Sequence, residues 1–159
     1  MDMENTADFC SVVVTDDDAD DRYLIKMAMD EIGLEGQVHF AEDGESLLER
    51  LEAISVNGDG DWAGKALPCL ILLDLNMPRM DGRETLRALK NDPRFKQIPV
   101  VILTNSQSSE DVDSSYRDGA NSFFSKPLGY SELVGLVRLI QNYWLQGATL
   151  PTQLGSQDR

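Results

Sequence analysis

The sequence predicts an α/β fold in which five parallel strands, interleaved with five helices, form a doubly wound sheet of order 2-1-3-4-5. Short, continuous apolar runs indicate strands that are buried on both faces, as is typical of parallel sheets. The segments between these runs carry apolar residues at helical spacing, and crossovers between parallel strands are right-handed. The predicted strands are Val12–Thr15, Val38–Ala41, Leu70–Leu73, 100–103 and Ser122–Ser125.

The helices between these strands begin or end at residues that suit those positions. The first helix is predicted over 19–32 and is followed by a glycine, which favours a helix C-terminus. The third begins with an acidic residue and a glutamate three positions later, the pattern of a capping box, and the fourth has a weaker version of it. The start and stop residues are Gly33, Asp43 with Gly44, Asp81 with Glu84, and Ser108 with Asp111.

The length and charge of the chain limit its domain organisation and its partners. We expect 159 residues to form one substantial domain over 10–144, with a loose tail over 1–9 and a C-terminal extension over 145–159. A long, glycine-rich connection at 56–64 is expected to be a flexible excursion. The formal net charge of -14 argues against nucleic-acid binding, because that needs a basic face. The expected partner is therefore a protein.

The sequence also favours a cytoplasmic protein that does not bind membranes. No window approaches the roughly 18 uninterrupted apolar residues that a membrane span needs, and the first residues lack the basic start of a signal peptide. In the cytoplasm we expect Cys10 and Cys69 to be buried, reduced thiols rather than a disulfide.

Polar side chains of complementary chemistry follow the predicted strands. Asp74 ends the third strand just before the turn at Pro78, and a carboxylate there can act as a nucleophile toward a phosphoryl group. Asp16 and Asp17 end the first strand, which neighbours the third in the predicted order. The three carboxylates would repel one another unless a cation lay among them, and a site with only oxygen ligands favours Mg²⁺.

We assign Asp17 and Asp74 as direct ligands of this Mg²⁺, the backbone carbonyl of Asn76 as a third, and Asp16 as a ligand through water. The remaining acidic residues nearby, Asp18, Asp20 and Asp21, are interpreted as an ordinary acidic helix start, which the helix dipole favours.

Two further strand ends complete the expected site. Lys126 follows the fifth strand and would supply a second positive charge beside the phosphoryl group. Because Pro127 follows it, a cis peptide bond could direct the ammonium back over the strand ends. Thr104, at the end of the fourth strand, could donate its hydroxyl to a phosphoryl oxygen.

An acidic cluster, an aspartate, a hydroxyl and a Lys-Pro pair, in this order, resemble the receiver domain of two-component response regulators over 10–144. The resemblance implies a flavodoxin-like receiver fold and the transfer of phosphate from the phosphohistidine of a histidine kinase to Asp74. It also implies that Phe123 rotates inward as Thr104 moves toward the modified site. Asn105 departs from the small residue usual after that threonine, and could change the lifetime of the phosphoryl group.

The end of the chain, 143–151, is similar to single-domain regulators that partner phytochrome-type histidine kinases. Two other functions share part of this pattern. A degenerate receiver could serve only as a protein interaction module, although Asp17, Asp74, Thr104 and Lys126 are all present. A haloacid-dehalogenase-type phosphatase would need a second aspartate where Asn76 stands.

The last helix has two apolar stripes, although packing on the sheet needs only one. One stripe is expected to face the sheet, and the other would be exposed unless something covers it. We therefore expect a two-fold homodimer through this helix, with the tail reaching across to the partner; the alternative is a tail that folds back over its own subunit. The inner stripe is Leu133, Val137, Ile140 and Trp144, and the second comprises Leu136, Leu139 and Tyr143, extended by Leu145, Leu150 and Pro151.

Overall fold

The computed structural model describes residues 10–57 and 66–151. The predicted tail over 1–9, most of the excursion at 56–64 and the end of the extension from 152 lie outside the described residues. Strands and helices alternate along the described chain as the sequence predicted. In chain order they are β1 Val12–Thr15, α1 Ala19–Glu31, β2 Val38–Ala41, α2 Gly44–Asn57, β3 Leu70–Leu73, α3 Gly82–Asn91, β4 Val100–Thr104, α4 Ser109–Arg117, β5 Ser122–Ser125 and α5 Tyr130–Ile140, continued by a π-helical segment, Gln141–Gly147.

The five strands form one parallel sheet in the order β2-β1-β3-β4-β5, which confirms the predicted topology. β1 and β3 are neighbours, and their register pairs Thr15 with Leu73. The residues that follow these two positions, Asp16 and Asp74, therefore leave the sheet side by side. This is the point at which the strand order reverses, where open α/β sheets bind ligands.

The core consists of two apolar layers, one on each face of the sheet. One layer includes Val13 and Ile71 with the buried sides of α2 and α3, and the other includes Val14 with α1 and α5. Every residue of β1, β3 and β4 is buried, as expected of central parallel strands. None of the described helices is both long and apolar enough to span a membrane.

The last helix buries three of the four residues of the predicted inner stripe, and Trp144 is half-buried. Leu136, which was expected on the outer stripe, instead packs partly buried against the core. Leu133, Val137 and Ile140 of α5 are buried, whereas Leu139 and Tyr143 are 54% and 57% exposed. The tail differs from the expectation of an arm that extends to a partner. Leu145 and Leu150 pack against the core of their own chain, so the described part of the extension folds back on the molecule. The reason is that both leucines bury apolar surface there.

Two local expectations were wrong. Cys10 and Cys69 form a disulfide, with a Cα–Cα distance of 5.5 Å, rather than two free thiols. The backbone N–H of Cys69 donates to the carbonyl of Ser11, and this pairing at the start of the two strands places both cysteines within bonding distance. The peptide bond between Lys126 and Pro127 is trans, and the lysine side chain reaches the carboxylates in this conformation.

Candidate functional site

Three carboxylates meet at the edge of the sheet where β1 and β3 end. Asp16 and Asp74 are buried, at 2% and 6% exposure, and Asp17 is exposed. One oxygen from each of the three lies within 4.8 Å of the others. Their positions are fixed by the sheet, since the backbone N–H of Asp16 donates to Ala41 and that of Asp74 donates to Thr15. An all-oxygen set that is partly open to solvent fits a hard divalent cation such as Mg²⁺.

Lys126 lies opposite these carboxylates, at the end of β5. Its Nζ is 2.7 Å from Asp16 Oδ2, 3.2 Å from Asp74 Oδ2 and 2.6 Å from Asp21 Oδ2. The backbone N–H of Lys126 donates to the carbonyl of Thr104 at 2.8 Å, which holds the start of the β5–α5 connection against β4. The ammonium is thus already at the site that the sequence predicted for it.

Burial and charge together change the proton affinities in this cluster. Burial raises the pKa of Asp16 to about 6, and the hydrogen bond from Lys126 only partly opposes this effect. For Lys126, burial alone would lower the pKa, but its hydrogen bonds to Asp16 and Asp21 raise it above its usual value. The lysine is therefore a permanent cation near neutral pH. For Asp16, by contrast, burial makes the charged form unfavourable. A bound divalent cation would stabilise the charged form of Asp16.

Thr104 and Phe123 occupy the adjacent strands β4 and β5. Thr104 is fully buried, and its Oγ1 accepts a weak hydrogen bond of 3.5 Å from the backbone N–H of Ser106. Phe123 lies opposite Ile102 in the sheet and packs, half-buried, against the core layer that contains α2 and α3. In the register of the two strands Thr104 lies opposite Ser125, two residues after Phe123.

A sequence model described as the response regulator receiver domain matches residues 12–138. The chain belongs to this receiver domain family. The response regulator Rcp1 of Synechocystis sp. is 34% identical over 140 residues, which cover 88% of this chain and 91% of Rcp1. A probable methanogenesis regulatory protein, FilR2 of Methanothrix harundinacea, is 34% identical over 143 residues, covering 90% of this chain and 88% of FilR2.

Solved structures confirm the receiver fold. The phosphorylated cyanobacterial phytochrome response regulator RcpA has a TM-score of 0.78 and 35% identity, with coverage of 89% of this chain and 98% of RcpA. The Mn²⁺-bound form of Rcp1 has a TM-score of 0.74 and 32% identity, with coverage of 89% of this chain and 99% of that one. The chain is thus a receiver domain related to phytochrome response regulators, and its acidic cluster resembles the kind of site that holds a divalent cation in this family.

Two features of the receiver hold the connection between β3 and α3 in place. Gly82, at the start of α3, donates its N–H to the carbonyl of Leu75, and a Cβ there would lie 2.0 Å from the carbonyl oxygen of Asp74. Only glycine allows this close approach. Within the connection, Arg79 has a φ of 62° and forms an ion pair with Asp43, the residue before α2. Both contacts restrain the backbone that carries the candidate phosphoacceptor.

The β4–α4 connection is tied to the same region by a polar network. Ser106 Oγ donates to Asp111 Oδ2 at 2.5 Å, and the guanidinium of Arg83 donates to Asp111 Oδ1 at 2.9 and 3.2 Å. Arg83 also reaches the carbonyl of Leu75 at 3.5 Å. The network therefore joins the connection that follows Thr104 to the residue that follows Asp74.

The structure brings together most of the predicted site residues and adds others. Asn76 donates its backbone N–H to Asp74 Oδ1 at 3.3 Å, so it lies beside the predicted phosphoacceptor. Asp18 is the N-cap of α1, as expected, and accepts from the N–H groups of Asp20 and Asp21. Asp21 differs from that expectation because its carboxylate binds Lys126. No sequence signal separates Asp21 from its acidic neighbours.

Proposed function

We propose that this receiver accepts a phosphoryl group on Asp74 from the phosphohistidine of a histidine kinase, with Mg²⁺, in a two-component phosphorelay. The observation that carries the proposal is the placement of the buried Asp74 carboxylate among Asp16, Asp17 and Lys126 at the switch point of the sheet. On this proposal the protein is a signalling domain whose only chemistry is its own phosphorylation and dephosphorylation. The cytoplasmic location stays a prediction.

In the proposed transfer, a carboxylate oxygen of Asp74 attacks phosphorus while the bond from phosphorus to the imidazole nitrogen breaks. The bonding electron pair stays on that nitrogen, which takes up a proton from solvent, so the kinase histidine leaves as neutral imidazole. Lys126 would pair with an oxygen of the transferred group, and Asn76 N–H would hold the other Asp74 oxygen. When bound by Asp17, Asp74, the Asn76 carbonyl and, through water, Asp16, Mg²⁺ would neutralise charge on the phosphoryl oxygens.

The proposed switch involves Thr104 and Phe123. The hydroxyl of Thr104 is buried at the end of β4 and its Oγ1 is bonded only weakly, at 3.5 Å, to the next turn. A phosphoryl group on Asp74 would offer this hydroxyl a charged acceptor, which forms the stronger bond. Movement of Thr104 toward the site would then open space into which Phe123 rotates, which gives the two states that a signalling switch needs.

We further propose a phytochrome-type histidine kinase as the phosphodonor and a homodimer as the assembled state. The kinase class is supported by the similarity to RcpA and Rcp1 over nearly their whole length. The dimer is supported by Leu139 and Tyr143, which stay exposed on the outer side of the last helix. Since Leu145 and Leu150 pack on their own chain, the proposed contact uses the helix rather than an extended arm.

Incubation with acetyl phosphate and Mg²⁺, followed by intact-mass measurement, tests the phosphoacceptor. Wild type should gain the mass of one phosphoryl group, and Asp74→Asn should gain none. Asp111→Asn is the matched control, because Asp111 is a partly buried carboxylate that lies outside the acidic cluster, in the β4–α4 network. Equal labelling of wild type and Asp74→Asn would refute the assignment, and no labelling of wild type would favour the interaction-module alternative.

A further inference from the structure

The Lys126 ammonium is surrounded by three carboxylates in this structure: it donates hydrogen bonds to Asp21 and Asp74 and forms an ion pair with Asp16. Its Nζ lies 2.7 Å from Asp16, 2.6 Å from Asp21 and 3.2 Å from Asp74, and an ammonium has only three N–H donors. A phosphoryl group that binds Lys126 therefore competes with these carboxylates for the ammonium. One of the carboxylates must lose its contact with Lys126 before the ammonium can bind a phosphoryl oxygen. The free energy of that loss depends on which carboxylate it is.

Asp21 is the carboxylate that can lose its contact with Lys126 with the smallest free-energy penalty. Its side chain is 27% exposed, compared with 2% for Asp16 and 8% for Asp74, so water can replace the lost hydrogen bond only at Asp21. Asp16 also accepts from the backbone N–H of Asp18 at 2.9 Å, which fixes its orientation. Asp74 is itself the group that carries the phosphoryl group on the proposed function.

The contact between Asp21 and Lys126 depends on the packing of α1 against the β5–α5 connection. Both residues line a small cleft whose apolar walls include Leu24 and Pro127. Asp20, one residue earlier in the same turn, has the same charge and the same hydrogen bond from its N–H to the N-cap, but its side chain is exposed. Helix capping therefore does not explain why the carboxylate of Asp21 faces the lysine.

We infer that Asp21 is a positioning residue that holds Lys126 toward α1 while Asp74 is unmodified, and that it competes with a phosphoryl group for the ammonium. The inference rests on the proposed function, because it assigns Lys126 to the phosphoryl oxygen. Asp21 thereby lowers the affinity of the site for a phosphoryl group, in addition to any effect of its negative charge.

Beryllofluoride, a phosphoryl mimic, provides the test. Its affinity is measured by ¹⁹F NMR at saturating Mg²⁺ for wild type, Asp21→Asn and Asp20→Asn, which makes the same charge change without the lysine contact. Asp21→Asn should bind roughly fivefold more tightly than wild type, as expected for the loss of one partly exposed ion pair. Asp20→Asn should stay within about twofold of wild type, because charges exposed to solvent are screened.

A Lys126→Gln background separates competition for the lysine from general electrostatics. In that background Asp21→Asn should leave the affinity for beryllofluoride unchanged. An equal gain for Asp20→Asn and Asp21→Asn, a weaker affinity of Asp21→Asn, or an undiminished gain in the Lys126→Gln background would each overturn the inference. Failure of wild type to bind beryllofluoride, with Asp74→Asn behaving identically, would instead refute the proposed function and the inference together.

Discussion

Asp16 should make the metal-free protein less stable as the pH rises from 4 to 7. Burial raises the pKa of Asp16 from 3.8 to about 6, so the folded state binds this proton more tightly than the unfolded chain does. Stability from this group is therefore greatest below the pKa of the unfolded chain, and it is lost as the pH rises through the folded pKa. Asp16→Asn removes the titration while it keeps the size of the side chain.

The size of this effect follows from the shift. The pKa of Asp16 rises by about two units, and each unit corresponds to about 1.4 kcal/mol of folding free energy. The group therefore contributes about 3 kcal/mol in total, of which about 2 kcal/mol is lost between pH 4 and 7. The pKa values of Asp43, Asp92 and Asp111 are lowered by hydrogen bonds, so their contributions are lost only at more acidic pH. Burial lowers the pKa of His39, so this residue makes the folded state more stable as the pH rises toward neutrality, opposite to the effect of Asp16.

The assay is urea unfolding in EDTA between pH 4 and 7, and the quantity compared is the difference between wild type and Asp16→Asn. His39 and the repulsion among the many acidic residues affect both proteins alike, so their contributions to the pH dependence cancel in this difference. Asp17→Asn, which changes an exposed carboxylate, should follow wild type. Saturating Mg²⁺ should reduce the loss of stability, because the metal binds the deprotonated carboxylates. Parallel pH profiles for wild type and Asp16→Asn would refute the reasoning.

Three further outcomes are expected. Cys10→Ser should lower the free energy of unfolding by up to about 4 kcal/mol, since the bridge spans 59 residues; a thiol count of two in unreduced wild type would contradict the bridge. Gly82→Ala should lower the melting temperature and slow labelling by acetyl phosphate, because its Cβ meets the backbone of Asp74; an unchanged variant would contradict this. Light scattering should find a dimer in wild type and a monomer when Leu139 and Tyr143 are changed to aspartate; monomeric wild type would end the dimer proposal.

The fold could be predicted almost completely because its strongest determinant is local. β1 and β3 are short runs of almost entirely apolar residues that are each followed directly by an aspartate, and their predicted ends agree with the structure. The weaker edge strand β5 is only partly buried, but its place before Lys126 and Pro127 identified it. The bridge between Cys10 and Cys69 was missed because the expectation rested on compartment, whereas the strand register decides whether two cysteines meet.

The candidate site shows the limit of sequence reasoning most clearly in the first turn of α1. Asp18, Asp20 and Asp21 are adjacent acidic residues that each suit a helix N-terminus, so local chemistry assigns them the same role. The structure gives them three different environments: Asp18 caps the helix, Asp20 faces solvent and Asp21 binds Lys126. What separates them is the packing of α1 beside a lysine 105 positions away in the chain. A long-range contact of this kind has no periodic pattern, and only the assembled sheet reveals that the lysine has more acidic partners than the sequence motifs supply.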